Sequence, residues 1–228
     1  MAPISILDRG KHHLVINKPS NTVVVAGIGA PKPTLLDILK NQFGDGIKPV
    51  HRLDRVTTGV CIFAKNLFGQ QALSDAFRKH FVHKKYLAVV EGVPDFKTLN
   101  IDARLKRVDT PHNKKSLAHQ EIANDGQRAL TRVRVLHSDA GRTLVEARPE
   151  TGRMHQIRAH LSHIGFPIVG DKQYGAQEVY CPYAIALHAY EISFPLPEGG
   201  RRTIQVDPEQ KLLALVNLHS LRQLKDIL

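Results

Sequence analysis

Short apolar, β-branched runs separated by polar turns, with only a few stretches of helical period between them, agree with an α+β chain. Two features are consistent with that class without establishing it. Residues 14–16 and 60–64 are compact apolar runs bounded by turn formers, while residues 35–39 and 73–81 repeat apolar side chains at helical spacing. The 228 residues suffice for one substantial domain or two small ones. A hydrophobic content of 42% and a charged content of 23% are those of an ordinary soluble globular protein.

Taken in order, Leu14-Val15-Ile16-Asn17-Lys18 reads as a strand stopped by Pro19, and Val23-Val24-Val25 is expected to start another. Thr34 is the expected N-cap of a helix through Leu35, Leu36, Ile38 and Leu39 that Gly44 and Gly46 terminate. A polar run over residues 49–59 then delivers the chain into the strand of residues 60–64. Leu73, Ala76, Phe77 and Phe81 predict a helix over about residues 67–82, with that stripe in the core. Lys84-Lys85 and Tyr86 open a buried strand that runs to Gly92.

Residues 104–128, including Pro111-His112-Asn113-Lys114-Lys115, read as an exposed loop or hairpin tip, the kind of segment in which substrate preference resides. Gln127-Arg128-Ala129-Leu130-Thr131 opens the alternating strand Val133-Arg134-Val135-Leu136. Gly152 turns the chain into a helix from about Met154, with Ile157 and Leu161 on one face and Arg158 near its start. Ala186-Leu187-His188-Ala189 and Ile192-Ser193-Phe194-Pro195 form another strand, and Leu212, Leu213, Leu215, Val216, Leu221 and Leu224 predict a closing amphipathic helix.

The charge is the unusual part of the composition. Thirty-two Lys and Arg against twenty-one Asp and Glu give a net charge of +11 and an isoelectric point near 9.8. Such a balance points to a polyanionic partner, and nucleic acid is preferred over an anionic membrane because no basic amphipathic segment dominates. Cys61 and Cys181 lack a CxxC neighbour, so two reduced thiols in a reducing compartment are expected. The first residues, Met1-Ala2-Pro3-Ile4, carry no signal-peptide pattern, and a cytoplasmic location is expected.

Within the polar run, Asp54 stands between Arg52 and Arg55 at the mouth of an apolar strand. Neighbouring guanidinium charge favours the ionised carboxylate, which suits a nucleophile or base. A structural ion pair at a loop corner is the other reading of the same residues.

His51-Arg52-Leu53-Asp54 with Thr57-Thr58-Gly59 resembles the HRLD signature of the RluA-like pseudouridine synthases, with Thr-Thr-Gly where Thr-Ser-Gly is more usual. Asn17-Lys18-Pro19, Lys84-Lys85-Tyr86 and Thr151-Gly152-Arg153-Met154-His155-Gln156-Ile157-Arg158 resemble further motifs of that family, in its order, as do Gly170-Asp171 and Tyr174-Gly175. The resemblance implies an α+β fold: one catalytic domain over residues 1–228, without a separate N-terminal RNA-binding module, on a long mixed, mostly antiparallel sheet with a central active-site cleft. It implies isomerisation of uridine to pseudouridine in ribosomal or transfer RNA after base flipping.

Asp54 then takes the catalytic role, Arg158 pairs with it, and Tyr86 stacks on the extruded base. Arg52 fills the vacated space, Ile157 and Leu187 wall the base pocket, and Arg55, Lys84 and Lys85 face the phosphate backbone. Lys84 and Lys85 read equally well as a solvated basic edge. No cofactor is expected, no protein partner is called for, and a monomer is the default.

His155, His160 and His163 crowd one segment and invite a metal site. His155 diverges from the other two on a helix, and no Cys or carboxylate completes a set. A non-catalytic RNA-binding protein shares the charge of the proposed enzyme and differs in not needing Asp54, Tyr86 and Arg158. A nucleoside hydrolase-like enzyme also works at C1′, and free uracil would be its product.

Overall fold

Pairing between neighbouring strands and a small set of helices build an α+β architecture, seen in a computed structural model that describes residues 4–27, 31–110 and 117–228. The stretch Pro111-His112-Asn113-Lys114-Lys115 lies outside the described residues. Backbone contacts divide the chain into two compact units, Met1–Lys84 with Ala189–Val206, and Lys85–His188 with Asp207–Leu228.

The first unit contains β1 (Ser5–Arg9), β2 (His13–Lys18), α1 (Leu35–Phe43), β3 (Lys48–Pro49), β4 (Thr58–Ala64) and α2 (Leu67–Arg78). It also holds most of β11 (Leu187–Pro195) and all of β12 (Arg201–Gln205). The strand order is β1-β2-β4-β11, with β12 paired to β11 and β3 to β4. β1–β2, β2–β4, β3–β4 and β11–β12 are antiparallel. Val15, Val60, Ile62 and Ala64 from one face of β2 and β4 bury against Leu73 and Ala76 of α2, with Ile192 and Phe194 of β11 in the same cluster. Cys61 and Phe63, on the opposite face of β4, are equally buried, which explains why this strand reads as an unbroken apolar run rather than an alternating one.

The Thr34 cap is present. Its hydroxyl accepts from the Asp37 N–H, and the Asp37 carboxylate accepts from the Thr34 N–H at 2.9 Å, a reciprocal box that starts α1. The strand expected at Val23-Val24-Val25 is absent. The Val23 and Val24 carbonyls instead accept from Leu35 and Leu36 N–H at 2.8 and 3.0 Å, so this segment satisfies the start of α1 and does not enter the sheet. α2 is also shorter than its apolar spacing predicts. It ends at Arg78, His80 turns the chain in the left-handed region at φ 59°, and Phe81 is left 55% exposed and outside the core.

The second unit contains β5 (His83–Glu91) from Lys85 onward, β6 (Thr98–Asp102), β7 (Leu105–Thr110), β8 (Leu117–Ile122), β9 (Leu130–Asp139) and β10 (Arg142–Pro149). Its helices are α3 (Gln156–His163), α4 (Gln210–Leu213) and α5 (Leu221–Ile227). The order β5-β10-β9-β6 is antiparallel throughout, and β7 and β8 form a separate hairpin within the segment expected to be a loop or hairpin.

α3 is bound to β9 through polar groups. The Gln156 amide donates to the Leu130 carbonyl and to Thr131 Oγ1, and His160 bridges Thr131 Oγ1 and the Ala103 carbonyl at 2.9 and 3.0 Å. The closing helix is broken. After α4, a 3₁₀ turn over Ala214–Val216 ends at Asn217 with φ 54°, and α5 restarts behind a capping box of Ser220 and Gln223.

Candidate active site

The Asp54 loop, residues 50–57, is fixed at several points within the first unit. His51 Nε2 accepts the Ile62 N–H at 3.0 Å, and its ring stacks on Phe77 at 4.8 Å, 21° from coplanar. Acceptance at Nε2 leaves the proton on Nδ1. Burial, with the positive charge of Lys84 adding to it, pushes the His51 pKa down to about 3, so the imidazole stays neutral and serves as a rigid acceptor. Leu53 is buried, and the Thr57 N–H closes the turn on the Asp54 carbonyl at 3.1 Å.

Lys18 ties the far side of this loop. It is fully buried, and its ammonium donates to the carbonyls of Pro19 and Thr22 at 2.9 Å each and of Arg55 at 3.3 Å. Three donors meet three acceptors, which matches the capacity of an ammonium and exceeds that of a neutral amine. Burial pushes the Lys18 pKa down to about 8, against the opposing charges of Cys61 and Asp54. The Asp54 side chain, half-buried itself, thus sits within the field of a buried cation on the same unit. Burial also raises the Cys61 thiol to about 12, so it is an inert core group.

Gly59 explains the end of the loop motif. Its φ is +107°, and a Cβ there would lie 2.3 Å from the Ala189 carbonyl oxygen of β11. Only glycine lets β4 begin at this spacing.

Of the residues singled out in the sequence, Arg52 and Arg55 are exposed on the Asp54 loop, and Lys84 belongs to the same unit. Lys84 is half-buried, and burial pushes its pKa down to about 8. Lys85, Tyr86, Ile157, Arg158 and Leu187 belong to the second unit. Tyr86 is half-buried on β5 opposite Ala147 of β10, whereas Ile157 and Leu187 are buried.

Arg158 lies in the first turn of α3 with only 5% of its surface exposed. Its Nε and Nη2 donate to the two Asp171 carboxylate oxygens at 2.7 and 2.8 Å, and Nη2 also donates to Gln173 Oε1 at 2.9 Å. The guanidinium lies over the Tyr174 ring, 4.8 Å from its centroid. Tyr174 is in turn braced by the Gln120 N–H, which donates to its hydroxyl at 2.8 Å, and by His155 Nδ1 at 3.0 Å from the same oxygen.

Sequence reasoning gave Lys18, Asp171, Gln173 and Tyr174 no role. A fully charged residue in the apolar run before Pro19 was the available signal for Lys18. For Asp171 and Tyr174 the signal was the motif resemblance of Gly170-Asp171 and Tyr174-Gly175, whereas Gln173, on an irregular turn, leaves no periodic trace.

The structure thus sets Asp54 on an anchored loop of the first unit and Arg158, buried and multiply held, at a helix start of the second. Residues 12–163 match the family model described as RNA pseudouridylate synthase, and the chain belongs to that family. It is 36% identical over 195 residues to "Uncharacterized RNA pseudouridine synthase YlyB" of Bacillus subtilis (strain 168), covering 82% of this chain and 63% of that protein. It is 38% identical over 206 residues to "Ribosomal large subunit pseudouridine synthase D" of Xylella fastidiosa (strain Temecula1 / ATCC 700964), covering 87% and 55% respectively.

The chain thus spans 63% and 55% of the lengths of these two relatives. Among solved structures, "Human RNA Pseudouridylate Synthase Domain Containing 1" superposes with a TM-score of 0.76 at 28% identity, covering 98% of this chain and 94% of that one. Among the described residues, no helix is long and apolar enough to cross a membrane.

Proposed function

We propose that the protein isomerises uridine to pseudouridine in structured ribosomal or transfer RNA, as a monomer in the cytoplasm. The observation that carries this reading is Asp54, held on a loop anchored by His51 and Lys18 in a chain of the pseudouridylate synthase family. The reaction breaks the C1′–N1 bond, turns the uracil and joins C5 to C1′. The C5 proton is lost and N1 gains one, so atoms balance without a redox change.

Asp54 acts as nucleophile or as base at C2′, and Arg158 is its guanidinium partner, keeping the carboxylate ionised and aimed. A stacked uridine exposes neither C1′ nor C5, so the nucleotide is flipped out at a cost of a few kcal/mol. Tyr86 stacks on the everted base, Arg52 takes the space it leaves, and Ile157 and Leu187 form apolar walls that keep water from the broken bond. Arg55, Lys84 and Lys85 run along the phosphates, consistent with the net charge of +11.

The test is tritium release from RNA carrying 5-tritiated uridine, with nucleoside analysis of the product. The wild-type protein is expected to release tritium and leave pseudouridine, and Asp54→Asn, which keeps the shape and removes the charge, is expected to release none. Substantial release by Asp54→Asn overturns the role of Asp54. Binding without turnover would mark an RNA-binding protein, and free uracil a hydrolase.

A further inference from the structure

The Arg158 guanidinium is held far more tightly than an ion pair for stability requires. Arg158 and Asp171 are 5% and 2% exposed, and a bidentate side-on pair joins them at 2.7 and 2.8 Å. Burying both charges is expensive, and a well-packed apolar pair of the same volume generally stabilises a core as well or better. Stability alone therefore does not account for the choice, whereas orientation does.

The cluster fixes the guanidinium in more than one direction. Asp171 sets the plane through Nε and Nη2, Gln173 adds an acceptor to Nη2, and the Tyr174 ring sets the height. Tyr174 cannot shift freely, because its hydroxyl is engaged by Gln120 and His155 and its carbonyl accepts the Ser162 hydroxyl at 2.7 Å. Asp171 is itself set by a tight corner. Its N–H donates to the Ile168 carbonyl at 2.9 Å, and its carbonyl accepts from Tyr174 and Ala176 N–H at 3.0 and 3.2 Å. Gly170, with φ +87°, precedes it where a Cβ would come within 2.7 Å of Tyr180 Cβ.

We propose that Asp171 is a positioning residue: its carboxylate holds the Nε–Nη2 edge of Arg158 so that the guanidinium presents its Nη1 N–H groups to the reaction in one fixed orientation. This assignment rests on the reading that Arg158 serves the isomerisation. Asp171 touches neither substrate nor reacting atoms; it acts through Arg158, with Tyr174 and Gln173 as braces. A small misorientation of such a group is costly to a chemical step and nearly invisible to substrate binding.

The test uses the full chain, total RNA labelled with 5-tritiated uridine from cells lacking the protein, and the ¹⁵N-resolved Nε–H resonance of Arg158, identified by its loss in Arg158→Lys. Asp171→Asn is expected to lower kcat about a hundredfold with KM within about twofold, and to shift or broaden the Nε–H resonance. In the Arg158→Lys background, the same substitution is expected to cost no more than about twofold, because residues acting as a unit are not additive. Gln173→Ala, at an exposed position that spares the fold, is expected to lower kcat about fivefold in the same manner.

Full kcat in Asp171→Asn overturns the assignment. An equal loss with and without Arg158 overturns it too. Should Asp171→Asn not fold, unchanged kcat and an unchanged Nε–H resonance in Gln173→Ala overturn it. No release by the wild-type protein refutes the activity itself, whereas an active wild type indifferent to Asp171→Asn refutes this assignment alone.

Discussion

Replacing Lys18 by Met removes a fully buried ammonium and with it a distinct pH dependence of stability. Burial lowers the Lys18 pKa from 10.5 to about 8 in the folded chain. Between those values the unfolded chain binds more protons than the folded one, so stability rises with pH from about 8 and the gain is complete above 10.5. From pH 7 to pH 9 the contribution of this one group is about 1.3 kcal/mol. For a chain of this size that corresponds to roughly 3–5 °C in Tm.

The Cys61 thiol, raised to about 12 by burial, works in the opposite direction as pH passes its ordinary value, but it does so in both proteins. The comparison between wild type and Lys18→Met therefore isolates the lysine. Thermal unfolding at pH 7 and pH 9 is the assay, and the wild-type Tm is expected to gain that interval relative to the variant. Parallel pH dependences would mean that the Pro19, Thr22 and Arg55 carbonyls hold the proton on Lys18 through pH 9, and would refute the reasoning.

Gly59→Ala places a methyl 2.3 Å from the Ala189 carbonyl oxygen at a φ of +107°. Steric overlap and backbone strain together cost about 3 kcal/mol, a fall of roughly 6–12 °C in Tm, and an unchanged melting curve would contradict the close approach of β4 to β11. Tyr86→Phe keeps the aromatic face and is expected to retain most of the affinity for substrate RNA, while Tyr86→Ala loses stacking worth about 1–3 kcal/mol. Equal tritium-release kinetics for Tyr86→Ala and wild type would remove Tyr86 from the base site.

Much of the first unit was legible because its signals are local. Thr34 announces the start of α1 by capping chemistry, and the apolar residues of β4 announce a buried strand. The edge segments were not legible. β1, β6 and β12 carry polar residues such as Arg9, Asn100, Arg201 and Arg202 and expose much of their surface, so their alternation is weak. The closing helix reads as one because its leucines keep a helical period, and its break at Asn217 is a single left-handed residue that no period reveals. Val23 and Val24 look like a strand, yet their carbonyls go to the start of α1.

The site shows the same division. The Asp54 loop stands out as a compact motif, and the structure adds why its flanking residues are there: His51 as a neutral acceptor for β4, Lys18 as a three-way tether, Gly59 as the residue that lets the backbone pass. In the Arg158 cluster the arginine was legible with its role, and Asp171 and Tyr174 only as motif residues without one. The Asp171 partner comes from a turn after the helix, and only the fold brings the two carboxylate oxygens to one edge of the guanidinium.

Sequencing pseudouridines across total RNA measures the proposed activity where it acts, in cells that express the protein, lack it, or carry Asp54→Asn in its place. A site or sites present with the wild-type protein and missing in both other strains is the predicted outcome. Identical pseudouridine maps in all three, or full restoration by Asp54→Asn, would contradict the assignment of this chain as an aspartate-dependent uridine isomerase.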